Sequence, residues 1–351
     1  MARRAKTEEL PETDRLEGQP HPRESFALVG QDAALGRIAR AIRAGRAPQG
    51  LLLSGQPGIG KATLGYRIAR YLLRYGATDQ GPADLAVSAN DPVSMQVAAG
   101  AHPGLLLLKR GPNPDTGKLM TVLSVHEVRK LAGFFGLTSG AGGWRVAIVD
   151  TADDMNDAAA NALLKALEEP PTRAMLILLA NAPGRLLPTI RSRCQRFELR
   201  PLDEETLARE IERRVPDLSP PERRSLARLA GGSLGAALAL ASEDGLVLAG
   251  EADTLIERAA APDIAATLAL AEKLARMTDG VDRFGQFLIQ VLTERIYARA
   301  LSGAPRLERW TAVLETLKRS FLRTDALHLE PRQTILSAAR AIAGAARGRA
   351  L

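Results

Sequence analysis

Nine residues, GQPGIGKAT at 55–63, carry the most specific chemistry in the chain. Gly55, Gly58 and Gly60 would let successive backbone N–H groups turn inward on a phosphate, and a following helix would add its positive N-terminal end. Lys61 would reach the outer phosphates of a nucleotide. The next position of such a loop holds a Ser or Thr whose hydroxyl ligates magnesium, but here it is Ala62. Thr63 has a hydroxyl, yet one step along a helix turns a side chain by about 100°. The loop reads either as a site that still holds a phosphate or as the relic of one.

Hydrolysis needs acids as well. One carboxylate holds the metal and a second orients the attacking water. The segment VAIVDTADDM, residues 146–155, offers Asp150 at the end of an apolar run, where the metal-holding acid belongs. Thr151 stands where a water-activating Glu is expected. Asp153 and Asp154 are expected in the turn beyond, as solvent-facing acids at a helix start with no catalytic part.

These groups need a rigid scaffold, and the pattern supplies one. Apolar runs at 50–54, 105–108, 144–150 and 174–180 are strand candidates, and 196–199 is a fifth. Helical spacing fills 33–44, 61–75 (Leu64, Ile68, Tyr71 and Leu72 on one face), 124–135 and 157–168. Ser124 opens its helix with Glu127 three residues on, a capping-box pair. Strands alternating with helices imply a mostly parallel sheet covered on both faces. Beyond Pro201-Leu202 the pattern is helical only: 203–215, 220–229, 233–241, and further segments from about 249. No internal repeat is evident.

The 351 residues suffice for two or three domains. Charged residues make up 25% and apolar residues 46%, as in a water-soluble globular chain. No apolar run approaches the roughly 18 residues that span a bilayer. The opening 22 or so residues are polar and lack a secretory apolar segment, so they read as a flexible extension. A cytoplasmic location is the default expectation. One cysteine excludes an internal disulfide framework. The net charge of +7 is compatible with nucleic-acid contact, although an Arg-rich solvated surface explains it equally. Aromatic residues are only 4%, which argues against stacking platforms for single strands.

Two further stretches are more specific: DAAANALLKALEEPP at 157–171 and LLANAPGRLLPTIRSRCQRFELRPL at 178–202. They resemble the bacterial clamp-loader subunits of the AAA+ superfamily, which serve the replicative DNA polymerase III. The opening LVGQDAALGRIARAIRAGRAPQGLLLSGQPGIGK and AGAHPGLLLLKR at 99–110 are similar to the same family, so the resemblance covers about 28–241. It implies an α/β AAA+ P-loop domain with a mostly parallel five-stranded sheet at 25–202, after an extension at 1–24. A small helical lid at 203–246 and an all-helical collar for oligomerisation at 247–351 would follow.

The resemblance also assigns roles. Lys61 matches the phosphate-loop lysine, Asp150 the metal-holding acid and Asn181 the polar sensor near the terminal phosphate. Ala62 and Thr151 replace the metal-binding hydroxyl residue and the catalytic Glu. Gly235 stands where motor subunits carry a second-sensor Arg. Ser192-Arg193-Cys194 keeps the Ser-Arg-Cys motif, whose Arg reaches a neighbour's ATP; Arg191 is structural or a backup. An Arg so placed stabilises charge on the transferring phosphoryl and supplies about 10³–10⁵ in rate. The implied chain is non-catalytic, without its own ATPase or polymerase activity. It lends Arg193 to a gamma/tau motor subunit and works with a delta subunit, the sliding clamp and primed DNA, held through its backbone. Arg129 and Lys130 are candidate DNA contacts. Many relatives carry a four-cysteine zinc module, but residues 76–100 here contain no cysteine. No metal is expected, and that segment should be poorly ordered or purely hydrophobic. A self-sufficient ATPase motor or DNA remodeller, and more remotely a nucleotide kinase, are the alternatives; steady ATP turnover by the isolated chain would favour them.

Overall fold

In the computed structural model the described residues are 20–111, 120, 122–136, 143–241, 245–277, 280–302, 307–327 and 330–347. The chain divides into two compact units, Met1–Leu202 and Asp203–Leu351. The expected extension at 1–24 lies mostly outside the described residues. Its last part packs against the fold: His21 is fully buried, and buried Arg70 donates to the carbonyls of Arg23 (2.6 Å) and Ser25.

Five strands build the first unit: β1 (Gly50–Ser54), β2 (Leu105–Leu108), β3 (Arg145–Asp150), β4 (Ala174–Ala180) and β5 (Gln195–Glu198). All pair in parallel, in the order β2-β3-β4-β1-β5. Successive strand residues point to opposite faces, so each apolar run feeds two cores. Leu51, Leu53, Val146, Ile148, Met175, Ile177 and Leu179 enter one core. Leu52, Ala147, Val149, Leu176, Leu178 and Ala180 enter the other.

Helices α1 (Asp32–Arg43), α2 (Lys61–Tyr75) and α3 (Pro92–Ala98) contribute to the first core; α4 (Val125–Gly136), α5 (Asp157–Glu168) and α6 (Pro188–Arg193) contribute to the second. Leu64, Ile68, Tyr71 and Leu72 of α2 are all buried. Truncating one such Leu to Ala costs about 2–5 kcal/mol. The Ser124 hydroxyl accepts from the Glu127 N–H, but the Glu127 carboxylate turns to Lys130 (2.6 Å), so the expected capping box forms by half.

Residues 76–100 are not poorly ordered. Leu85, Val87 and Val97 are buried in the first core. Nor is the segment purely hydrophobic, because Arg67–Asp84 (2.6 Å) and Arg74–Asp91 (2.8 Å) pin it to α2. Apolar anchors and two ion pairs hold this stretch to the helix beside it.

The second unit is helical: α7 (Glu204–Arg214), α8 (Pro220–Leu229), α9 (Leu234–Leu240), α10 (Gly245–Glu257), α11 (Ile264–Arg276), α12 (Gly280–Leu301), α13 (Leu307–Leu327) and α14 (Pro331–Ala346). Buried Phe284, Leu288, Val291 and Leu292 run along α12 at helical spacing, which makes it the central packing element. Gln290 also reaches from α12 to the Leu229 carbonyl at the end of α8 (2.6 Å). No described helix is long and apolar enough to cross a membrane.

Candidate nucleotide loop and arginine site

The register aligns the strand ends. Ser54 stands beside Ala180, and Asp150 beside Leu179, so the 55–60 loop, Asp150 and Asn181 meet at one edge of the sheet. Ligands of open α/β sheets bind at this carboxyl edge. The loop has the backbone that its glycines allow: Gly58 has φ 73° and Gly60 φ 104°, values an L side chain rarely adopts. Gly60 then opens α2.

Lys61 is turned inward. Its ammonium donates to the carbonyls of Gly55 (2.8 Å) and Gln56 (2.9 Å) and to Asn181 Oδ1 (2.7 Å). An ammonium has three donors, and all three are used. The residue is 7% exposed. Burial pushes its pKa down to about 8, against the opposing attraction of Asp150 and Asp153. Asn181, the expected sensor, thus touches the expected phosphate-loop lysine.

Ala62 packs against the first core. Thr151 donates its hydroxyl to Asp154 Oδ2 (2.7 Å), so the side chain in the catalytic-Glu position is tied to a neighbour. Asp153 corrects the expectation of a solvent-facing acid. It is buried, and its carboxylate accepts from the N–H groups of Asn181 (3.0 Å) and Ala182 (2.8 Å). Strand β4 ends there and leaves two amides for a nearby acceptor, which draws the acid in. Asp154 is not an open surface acid either, since Arg110 lies 3.5 Å away.

Arg193 lies elsewhere. It ends α6, with Cys194 alone between it and the start of β5. A methyl placed on Gly50, the first residue of β1, would sit 3.1 Å from the Arg193 carbonyl oxygen. The loop leaves the far end of that strand, four residue steps or about 13 Å away. Arg193 is 38% exposed, pairs with Glu168 Oε1 at the end of α5 (2.8 Å), and donates to the Thr189 carbonyl (3.2 Å). Glu168 escaped the sequence reading as a partner, although it lies in the EEPP stretch that carried the resemblance. Cys194 beside it is buried, and burial raises its thiol pKa to about 11. Gly235 is buried in α9. Arg129 and Lys130 are exposed on α4, the latter paired with Glu127. Among the described residues no three His, Cys, Asp or Glu side chains gather as a metal site.

Residues 30–203 match the family model described as DNA polymerase III, delta subunit. That segment is similar to this family. The chain is 36% identical to the DNA polymerase III subunit delta' of Escherichia coli over 59% of each chain. It is 37% identical to the Pseudomonas aeruginosa subunit delta' over 52% of each. With the gamma/tau subunit of Mycobacterium tuberculosis the identity is 32%, over 66% of this chain and 38% of that one. The chain thus spans a little over half the length of the delta' relatives it matches. The fold is the expected one in outline, an α/β unit on a five-stranded parallel sheet followed by helices.

Proposed function

We propose that the chain is a delta'-type clamp-loader subunit that hydrolyses no ATP itself and supplies Arg193 to a nucleotide held by a neighbouring motor subunit. One observation carries this reading: Arg193 and the chain's own phosphate loop sit at opposite ends of β1. An Arg finger must lie within hydrogen-bond reach of the phosphoryl it stabilises. Across about 13 Å it serves no nucleotide in its own loop. The loop supports the same reading, since Lys61 spends all its donors on the protein and the next position is Ala62, not a Ser or Thr.

The partners proposed are gamma/tau and delta subunits, the sliding clamp and primed DNA. The division of the helical unit into a lid at 203–246 and a collar at 247–351 belongs to the same proposal. Exposed Val247 on α10 and Ile264 and Leu268 on α11 are apolar side chains that subunit assembly would cover.

The test is Arg193→Ala in a complex rebuilt with gamma/tau, delta, clamp and primed DNA, with the isolated wild-type chain in parallel. The lone chain should be inert, and the mutant complex should assemble but lose stimulated ATP hydrolysis and clamp loading. Steady turnover by the lone chain would instead mean a working loop. Normal loading by the mutant complex would make Arg193 structural.

A further inference from the structure

Helices α10, α12, α13 and α14 enclose a cavity of about 550 Å³ inside the second unit. Its lining is unusual in charge. Arg295, Arg299, Arg309 and Arg347 face it, with Glu257 as the one carboxylate. The unit as a whole has as many Asp and Glu as Lys and Arg, so the positive excess is local to the cavity. Arg295 is neutralised by Asp253 (2.7 Å) and Glu257 (3.0 Å). Arg299 and Arg347 have no carboxylate partner among the described residues. Arg299 lies over the Trp310 ring at 5.8 Å, and Arg347 Nε donates to the Ala260 carbonyl (3.2 Å).

The exposed Arg299, Arg309 and Arg347 form the cavity's rim, and the buried Ile256 and Leu292 with half-buried Ile296 make an apolar floor. The two parts ask for different chemistry. Guanidinium groups match carboxylates or phosphates, while the floor gains only from hydrocarbon. A nucleic-acid backbone would satisfy the rim and leave the floor unused. Trp310 already has Arg299 over its ring, so it makes a poor stacking platform for a base. A peptide with acidic residues beside a bulky apolar one satisfies both parts. We infer that this cavity receives a short acidic segment of a partner protein, its apolar side chain on Ile256, Leu292 and Ile296 and its carboxylates on Arg299 and Arg347. This does not depend on the role of Arg193.

The full chain is titrated with the synthetic peptide EDDLF, with KKKLF and a ten-nucleotide oligo(dT) as comparisons. Intrinsic tryptophan fluorescence reports binding, because Trp310 lines the cavity and Trp144, the other tryptophan, lies in the first unit. EDDLF should give a saturable change that Trp310→Phe removes and that added salt weakens. Arg299→Glu and Arg347→Glu should each weaken it about tenfold, the usual scale for losing a charged contact. Arg299→Gln and Arg347→Gln, checked for an unchanged melting point, should weaken it less. Arg193→Ala should leave it unchanged. The proposal fails if EDDLF gives no saturable response up to millimolar concentration, or if KKKLF binds as well. It also fails if the Glu variants bind like wild type, or if oligo(dT) binds at these arginines and the peptide does not.

Discussion

The two ends of β1 carry basic residues of opposite character. At the carboxyl end, Lys61 is 7% exposed and held by three acceptors. At the amino end, Arg193 is 38% exposed and held by one surface carboxylate and one carbonyl. The first group is built into the fold, so moving it onto a ligand would break three hydrogen bonds to the protein. The second loses only contacts that water replaces. A chain that once worked on its own nucleotide and now serves another's would keep its cations in this way. On the proposed reading, the functional cation stays at the surface and the retired one becomes structure.

The sharpest attempt to break this contrast is Arg193→Ala. In the assembled complex, hydrolysis at the one site it serves should fall by about 10³–10⁵. Yet the melting point of the isolated chain should barely move, because an exposed pair is worth only about 0–1 kcal/mol. A large loss of stability with unchanged turnover would reverse the assignment.

Most of the scaffold was legible because a parallel sheet buried on both faces writes its strands as uninterrupted apolar runs. The bounds of β1, β2 and β4 follow directly from GLLLS, LLLL and AMLILLA. The short helices α3 and α6 escaped because six or seven residues give too little periodicity to separate from a loop. The site was legible in its residue types and not in its bonds. Lys61 meets Asn181 across 120 positions, and Asp153 caps amides 28 and 29 positions on. No local pattern records such pairs, which is why Asp153 read as a solvent-facing acid. Residues 76–100 misled for a related reason: the loss of cysteines was visible, but the contacts of Leu85, Asp84 and Asp91 with α2 were not.

Lys61 sharpens the comparison from the other end. In a working phosphate loop its removal abolishes turnover; here Lys61→Met should leave turnover of the complex unchanged and lower the stability of the chain. Water can reach the half-buried Gly55 and Gln56 and the exposed Asn181, so the loss should be about 1 kcal/mol. The pH dependence gives a second handle. A lysine whose folded pKa is lowered to about 8 binds fewer protons folded than unfolded between that value and its ordinary 10.5. Stability therefore rises with pH across this window as the buried charge is lost. Wild type should gain stability relative to Lys61→Met from about pH 8 upward, measured by urea unfolding at each pH. An identical pH dependence in the two proteins would show that Lys61 is solvated.

Asp153→Ala tests the same edge. It removes the acceptor for two amides at the end of β4, of which water would satisfy part, so about 1–2 kcal/mol of stability should go. If Asp153 stood in for the missing Glu, turnover would collapse instead.

The smallest effect concerns the ion pair that holds Arg193. Glu168 is 48% exposed and its partner 38%, so both are well solvated. Glu168→Ala should change stability by less than about 1 kcal/mol, a shift of no more than about 4 °C in a unit of this size. The effect on function separates two meanings of the pair. If Glu168 merely competes with a neighbour's phosphates for the guanidinium, its removal leaves hydrolysis in the complex unchanged or raises it. The ceiling is about fivefold, the equivalent of 1 kcal/mol. If Glu168 instead aims Arg193, the variant loses hydrolysis as Arg193→Ala does, and Glu168→Gln, which keeps one hydrogen-bond acceptor, recovers part of it. The pair's exposure favours competition: a carboxylate that aims a catalytic group is normally held by contacts of its own, and among the described residues the Glu168 side chain has only the arginine.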